Sequence, residues 1–400
     1  MLAQFFTAVL IGIISGVITG LIPGIHVNLA SIMFFEMLMT GFLNFENKAL
    51  FMVVVISAMM STHIFIDNIP SIFLGAPDEN TMLSVLPGHR MLLKGKALVG
   101  MESIIFGSLA SMILGVIMLP VMVFALKILF YYSKPLTPLI LIFVSICLML
   151  SHKEKNSRFW AFFVFLVSGI LGFFALRMPF LKQPLLPLLS GLFGLSVLLE
   201  SSFSKPYIPE QDDDVEFKIS PVNSALGFLS GSLTAVFPAI TSSMAALFAR
   251  SFLKKINEAD FLSILGAVNA SNIILATIFL LITERARNGA LVVISQITDL
   301  NLATTMLIIG TVLISSGIAS LISLRLSKIF CAIISRIDYA KVSIAMIFFL
   351  SFVTVLCSGI FGLLILAVSS SIGFFSQSLN IKRIVLMSCL IFPVFLNYLI

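Results

Sequence analysis

Two apolar stretches decide how this chain folds: GIISGVITGLIPGIHVNLASIMFF (Gly12–Phe35) and GFLSGSLTAVFPAITSSMAALFA (Gly227–Ala249). In each, an apolar run with small residues at helical spacing reaches a proline, Pro23 or Pro238, and polar residues follow at once. Proline removes a backbone donor and clashes with the preceding helical turn, so each run is predicted to be a helix broken at its proline. Irregular backbone at bilayer depth is tolerated only where protein buries it or where it lines a wet cavity, and matched interruptions in two halves of a chain mark a transporter binding site.

The composition of the chain is that of a membrane protein. Its 400 residues are 59% hydrophobic and 10% charged, with a mean hydropathy of +1.15, whereas roughly 25% of residues are charged in soluble domains. We therefore expect an all-α polytopic protein of the cell membrane with about 10–13 transmembrane or re-entrant helices, because a full span needs about 20 apolar residues. The net charge of +6 comes from basic residues in short loops, which is not an indication of nucleic-acid binding. Catalytic, nucleotide and zinc motifs are missing from the sequence, so we predict neither an enzyme nor a bound cofactor.

The chain divides into two halves at its longest polar stretch. Residues 201–221 are predicted to form an acidic, solvated loop between a first transmembrane repeat at 1–200 and a second at 222–400. The matched breaks predict inverted repeats, in which the broken helices meet near mid-membrane around the substrate.

The residues that follow the two breaks suit an anion. A half-helix that begins after a break offers free N–H donors and the positive end of its dipole, which favour a carboxylate. Further along, two asparagines on one segment suit a substrate or sodium, although interhelical hydrogen bonding accounts for them equally well. Two arginines in TERARNGA match a carboxylate bidentately, and the alternative for them is a basic segment end at the interface. The candidate substrate-binding residues are Pro23, Gly24, His26, Asn28, Pro238, Thr241, Ser242, Ser243, Asn269, Asn272, Arg285 and Arg287.

A second cluster of polar residues follows one helix after the first break. His63 and Asp67 share one face of the predicted helix, with Asn68 adjacent and Ser71 beyond Pro70. Ionisable groups inside a membrane are costly and by default functional, so these four residues are candidates for proton relay or for binding a coupling Na+. The alternative places them at the membrane surface, just before the block from Pro77 to Lys96, which is typical of an ordered surface loop or gate.

Four segments in chain order carry a family resemblance: GLIPGIHVN, HIFIDNIPSIFLGAPDENTMLSVLPGHRMLLKGKA, GAVNASNII and ERARNGALVVI. They resemble the large membrane subunit of tripartite tricarboxylate transporters (TctA-type permeases), in the shorter variety found in archaea. The second half departs from the family, because Phe237, Pro238 and Ala239 stand where the family tends to repeat Pro-Gly. The resemblance implies uptake of carboxylated metabolites, and together with the polar clusters it leads us to expect a secondary-active, ion-coupled permease for small carboxylates such as di- and tricarboxylates. It also implies two helpers, an extracytoplasmic binding protein and a small membrane subunit.

Other classes of membrane protein stay open at this point. In a polyprenyl or lipid-phosphate translocase, or in an intramembrane enzyme, His26, His63 and Asp67 would bind a headgroup or act in catalysis. A channel would need a continuous polar lining rather than two local breaks. A closed site between the two halves would favour a carrier, and a site open to lipid would favour the alternatives.

Overall fold

The computed structural model of the chain describes residues 2–23, 27–39, 47–76, 81–150, 152, 155–181, 183–204, 208–212, 220–237, 240–253, 256–336 and 338–399. Over these residues the regular structure is helical. The α-helices, in chain order, are α1 (Leu2–Leu21), α2 (Val27–Met39), α3 (Lys48–Ile66), α4 (Asn68–Phe73), α5 (Val85–Leu93), α6 (Ala97–Ile117), α7 (Leu119–Leu150), α8 (Lys155–Arg177), α9 (Leu185–Leu189), α10 (Ser196–Ser204), α11 (Pro221–Val236), α12 (Ser242–Ser251), α13 (Glu258–Thr283), α14 (Gly289–Ile297), α15 (Leu302–Ile334), α16 (Tyr339–Ser378) and α17 (Ser388–Leu399). A π-helical turn (Ser190–Leu195) joins α9 to α10, and a 3₁₀ turn (Arg383–Met387) leads into α17.

The prediction of an all-α polytopic membrane protein is confirmed. Within the described ranges, 8 helical segments are long and apolar enough to cross a membrane. A ninth span would combine the two arms of α7, Leu119–Tyr132 and Thr137–Phe143, which meet at 87°. The sequence-based number was higher because it included helices below spanning length, such as α2. Helix α16 turns Phe348, 71% exposed, outward with other large apolar side chains, as contact with lipid requires.

Both predicted interruptions are present. Helix α1 ends at Leu21 and α2 begins at Val27, so the first run stops beside Pro23. Helix α11 ends at Val236 and α12 begins at Ser242, after Phe237 has adopted an extended backbone. Gly24, His26, Pro238 and Ala239 lie outside the described residues.

Helices pack against partners in their own half and also against helices of the other half. Within the first half α1 packs against α3, and within the second half α11 packs against α13. Across the halves α3 packs against α15, and α6 packs against α13. Two further pairs also join the halves, since α8 packs against α17 and α10 packs against α16. The opposite orientation of the halves in the bilayer stays a prediction.

Small residues allow these helices to approach closely. A Cβ atom on Gly16 of α1 would lie 2.5 Å from Thr62 Cβ and 2.7 Å from the carbonyl oxygen of Met59, both on α3. Lipid offers no hydrophobic driving force for helix association, so close contact through small residues has to hold such helices together. This contact places α3, and with it His63, directly behind the first break.

Part of the stretch between the halves is held against the first half. The backbone N–H of Asp212 donates to the carbonyl of Gly95 (2.8 Å), and Gln211 Oε1 accepts from the N–H of Ala97 (3.0 Å) at the start of α6. Gln211 Nε2 donates to the carbonyl of Leu92, near the end of α5 (3.1 Å). Residues 205–207 and 213–219 of this stretch lie outside the described residues.

The block from Pro77 to Lys96 differs from the expected surface loop. Residues 77–80 lie outside the described residues, and Val85–Leu93 form helix α5, whose residues Gly88 and His89 are buried. A Cβ atom on Gly88 would lie 2.6 Å from Ile72 Cγ1, so α5 packs closely against α4. Gly88 therefore serves a tight helix contact rather than a turn.

Candidate functional site

A cavity of about 520 Å³ lies between the two halves. Its size falls in the range of small-molecule sites, roughly 300–1,000 Å³. Apolar side chains such as Met60, Phe237 and Ile273 form part of its wall. The polar residues that line it come from both halves: Asn28, His63, Thr234, Thr241, Ser242, Asn269, Asn272, Arg287 and Asn288.

Three helices begin at this cavity. The first residues of α2, Val27 and Asn28, line it from the first half, and Thr241 and Ser242 line it at the start of α12. Thr241 caps α12, since its side chain accepts from the N–H of Met244 (3.4 Å). Because the first N–H groups of a helix have no partner within that helix, each N-terminus carries a partial positive charge.

The third N-terminus belongs to α14. Asn288 caps this helix, because its Oδ1 accepts from the N–H of Leu291 (2.8 Å), and Gly289 follows it at the cavity wall. A Cβ atom on Gly289 would lie 2.6 Å from Cγ of Asn28, so the starts of α14 and α2 touch. Two helix N-termini from different halves are thus adjacent in one wall.

Arg287 adds a full positive charge to the same wall. Its Nη2 donates to the carbonyl of Val236, the last residue of α11 (2.6 Å), and its guanidinium lies 5.1 Å from the ring centroid of Phe279. Arg285 is exposed, lies over the ring of Phe130 and is not part of the lining. Of the two predicted arginines, the structure brings only Arg287 to the cavity.

Two asparagine side chains of α13, Asn269 and Asn272, also line the cavity. Asn269 is only 4% exposed, and neither its Nδ2 nor its Oδ1 has a hydrogen-bond partner among the described residues. The buried Oδ1 of Asn272, less than one turn later, also lacks a partner among them. Ser271 points elsewhere, toward α11, where a Cβ on Gly231 would collide with its hydroxyl. Unpaired buried polar atoms are rare in proteins, and here they border an open space.

The predicted coupling cluster is buried behind His63. The ring of His63 lines the cavity, its Nδ1 lies 3.1 Å from Thr19 Oγ1, and its Nε2 lies 3.9 Å from Asp67 Oδ2. Asp67 is 3% exposed, and its Oδ1 accepts from Asn68 Nδ2 (2.9 Å). Asp67 is therefore buried within the protein, and its depth in the membrane stays a prediction.

Ser71 extends this cluster away from the cavity. Its hydroxyl lies 2.9 Å from the main-chain oxygen of Asp67 and 2.6 Å from Thr81 Oγ1. Asp67, Asn68 and Ser71 are therefore one or two contacts removed from the cavity. His63 touches both regions, and so does Ile64, whose carbonyl accepts from Asn68 Nδ2 (2.7 Å).

The remaining predicted residues are placed as follows. Pro23 is half-buried and Ser243 is fully buried, and neither lines the cavity. Gly24, His26 and Pro238 lie outside the described residues. Sequence reasoning missed Thr234 and Asn288, although an asparagine just before Gly-Ala-Leu-Val-Val is a recognisable helix start.

Comparisons with known proteins cover nearly the whole chain. Residues 6–388 match the family model described as the tripartite tricarboxylate transporter TctA family. An uncharacterized protein of Methanocaldococcus jannaschii is 27% identical to this chain over 400 residues, covering 98% of each of the two chains. No solved structure matches the chain.

Proposed function

The chain belongs to the tripartite tricarboxylate transporter TctA family, and from this premise we propose that it carries small carboxylate anions through the cavity between its halves. Family membership makes it an integral membrane component of a transporter, as the sequence resemblance predicted. The proposal adds the location of the site and the chemistry by which the anion is held.

The positive character of the cavity is the observation that carries this proposal. The N-termini of α2, α12 and α14 and the guanidinium of Arg287 all border one space. Among the described lining residues there is no acidic side chain to oppose them. A dicarboxylate or tricarboxylate would place one carboxylate at Arg287 and the adjacent N-termini of α2 and α14, and another at the N-terminus of α12.

We further propose that His63 and Asp67 couple transport to an ion. His63 touches the cavity, and Asp67 lies directly behind it in a buried polar cluster. A carboxylate with amide and hydroxyl neighbours can hold Na+, and a carboxylate beside an imidazole can pass a proton. In either case only the side chain of His63 would lie between the ion at Asp67 and the substrate in the cavity.

The family membership also supports helper subunits. Members of this family form the large subunit of tripartite systems, which work with a binding protein and a small membrane subunit. We propose that this chain works with both, and that substrate reaches the cavity after delivery by the binding protein.

Ligand-induced stabilisation of the purified, detergent-solubilised protein tests the substrate site without the helper subunits. A ligand that binds only the folded protein raises its melting temperature. We expect di- or tricarboxylates to raise the melting temperature of the natural protein and of Arg285→Gln, but not that of Arg287→Gln. Absence of stabilisation by any carboxylate, or an equal loss in both variants, would overturn the proposal.

A further inference from the structure

Asn269 is a polar residue in the cavity wall whose hydrogen-bonding capacity is unused. It lies in the middle of α13, is 4% exposed, and has no hydrogen-bond partner for either amide atom among the described residues. Its neighbours along α13, Val268 and Ala270, are fully buried apolar residues. Burial of an unpaired amide is unfavourable, so an occupant of the cavity is expected to pair with it.

The two amide atoms of Asn269 need different hydrogen-bond partners. Nδ2 is a donor, which a substrate carboxylate satisfies, but Oδ1 is an acceptor and needs a donor that no carboxylate has. The buried Oδ1 of Asn272 is a second unsatisfied acceptor nearby on the same helix. A ligand that satisfies both amide atoms by itself therefore carries a hydrogen-bond donor close to one of its carboxylates.

A metal ion alone does not meet both requirements. Sodium at the two amide oxygens would need a substrate carboxylate at Asn269 Nδ2 as well, whereas a ligand that carries its own donor beside a carboxylate meets both requirements by itself. A substrate ammonium group would donate to Oδ1, yet Arg287 shares the cavity and the described lining residues include no carboxylate to balance a second cation. A hydroxyl group donates without adding charge.

We propose that Asn269 is the specificity-determining residue for α-hydroxycarboxylates, accepting a hydrogen bond from the substrate hydroxyl at Oδ1 and donating from Nδ2 to the adjacent carboxylate. Hydroxyl and carboxylate on one carbon are close enough for a single planar amide to pair with both. This inference rests on the proposed function, since it names the class of anion that the same cavity takes.

Three four-carbon dicarboxylates test the proposal, because malate, succinate and aspartate differ only in the group on one carbon. Their affinities for the purified full-length protein are measured by calorimetry, alongside the pair citrate and tricarballylate, which differ only by the hydroxyl. We expect the hydroxylated member of at least one pair to bind about tenfold tighter or more, because a site built for a hydroxyl rejects the analogue without it.

Two variants separate a direct contact from a structural effect. Asn269→Leu nearly preserves shape, and it should bring the affinities for the hydroxylated ligand and its partner to within about threefold of each other, while the lost bond from Nδ2 to the carboxylate weakens both ligands alike. Ser271→Ala, on the same helix but off the cavity, should keep the discrimination. The comparison in the natural protein needs no variant, so a poorly folded Asn269→Leu would not protect the proposal.

The outcomes are distinct. Equal affinity for hydroxylated and unsubstituted ligands in the natural protein overturns the inference but leaves the anion site intact. Tightest binding of aspartate also overturns it and assigns the unpaired oxygens to an ammonium group. Binding of none of the carboxylates overturns the proposed function, and this inference with it.

Discussion

Nη2 of Arg287 lies 2.6 Å from the carbonyl oxygen of Val236 and donates a hydrogen bond to it. Val236 is the last residue of α11, where the unpaired carbonyls give a helix its negative end. The cation that faces the cavity is therefore also the group that stabilises one side of the second break. A carboxylate that binds this guanidinium would act directly on the end of α11.

Replacing Arg287 by lysine should impair transport although the charge is kept. Lysine lacks the planar fork that serves Val236 and a carboxylate together, so we expect the KM of uptake to rise about tenfold or more. Initial rates of labelled carboxylate uptake into membrane vesicles measure this change. Arg285→Lys is the matched control, and a similar rise in KM for that variant would count against a site at Arg287.

Asp67→Asn should alter the ion dependence of uptake more than its substrate affinity. The change removes the charge but keeps the shape of a side chain that is 3% exposed. If Asp67 holds sodium, the dependence of uptake on sodium should weaken; if Asp67 and His63 pass a proton, the pH profile should flatten. Glu258→Gln, which breaks a surface ion pair with Lys94 (3.1 Å), serves as the control. An unchanged ion dependence and pH profile would exclude Asp67 from coupling.

His89 should make the folded protein less stable in mild acid. Burial, and secondarily the charge of Arg383, lowers the pKa of His89 from 6.5 to about 4. Below pH 6.5 the unfolded chain takes up a proton that the folded protein excludes, so stability falls as the pH decreases toward 4 and is retained above 6.5. By pH 5 the loss amounts to on the order of 2 kcal/mol.

Thermal denaturation in detergent between pH 5 and 8 measures this effect. His89→Gln should remove about that share of the pH dependence, because glutamine keeps a polar side chain near Tyr339 and Ser201 but does not titrate in this range. Identical pH dependence in the natural protein and the variant would show that another group is responsible.

Gly16→Ala should destabilise the contact between α1 and α3. The added methyl group would lie 2.5 Å from Thr62 Cβ, so the helices must separate or bend, at a cost of about 1–3 kcal/mol. Gly317→Ala on α15 is the control, because its added Cβ would have no neighbour within 4 Å. We expect a lower melting temperature for the first variant and an unchanged or slightly higher one for the second. Equal stability of the two would mean that the close contact contributes little.

Local patterns predicted those parts of the fold that depend on local physics. A proline in an apolar run predicts a break wherever it occurs, and the four-residue spacing of His63 and Asp67 predicts a shared face. The helix start at Asn288 is recognisable from the local sequence, but its position at the cavity is not, because the contact of Gly289 with Asn28 joins residues about 260 positions apart.

The block around His89 shows the same limit. Its prolines and glycines resemble those of a loop, but Gly88 is required where α5 approaches Ile72, and His89 reaches Tyr339 of the other half. Composition alone does not distinguish a glycine that turns a chain from one that admits a neighbouring helix.

The exchange of helix partners between the halves has a consequence for biogenesis. When the first half leaves the ribosome and enters the membrane, α3, α6, α8 and α10 still lack α15, α13, α17 and α16, which are synthesised later. The early segments stay in the bilayer as loosely associated spans, and the contact of α8 with α17 forms only after α17 has been synthesised. A nascent chain interrupted near residue 210 would thus present uncovered helix faces to membrane quality control instead of a finished half.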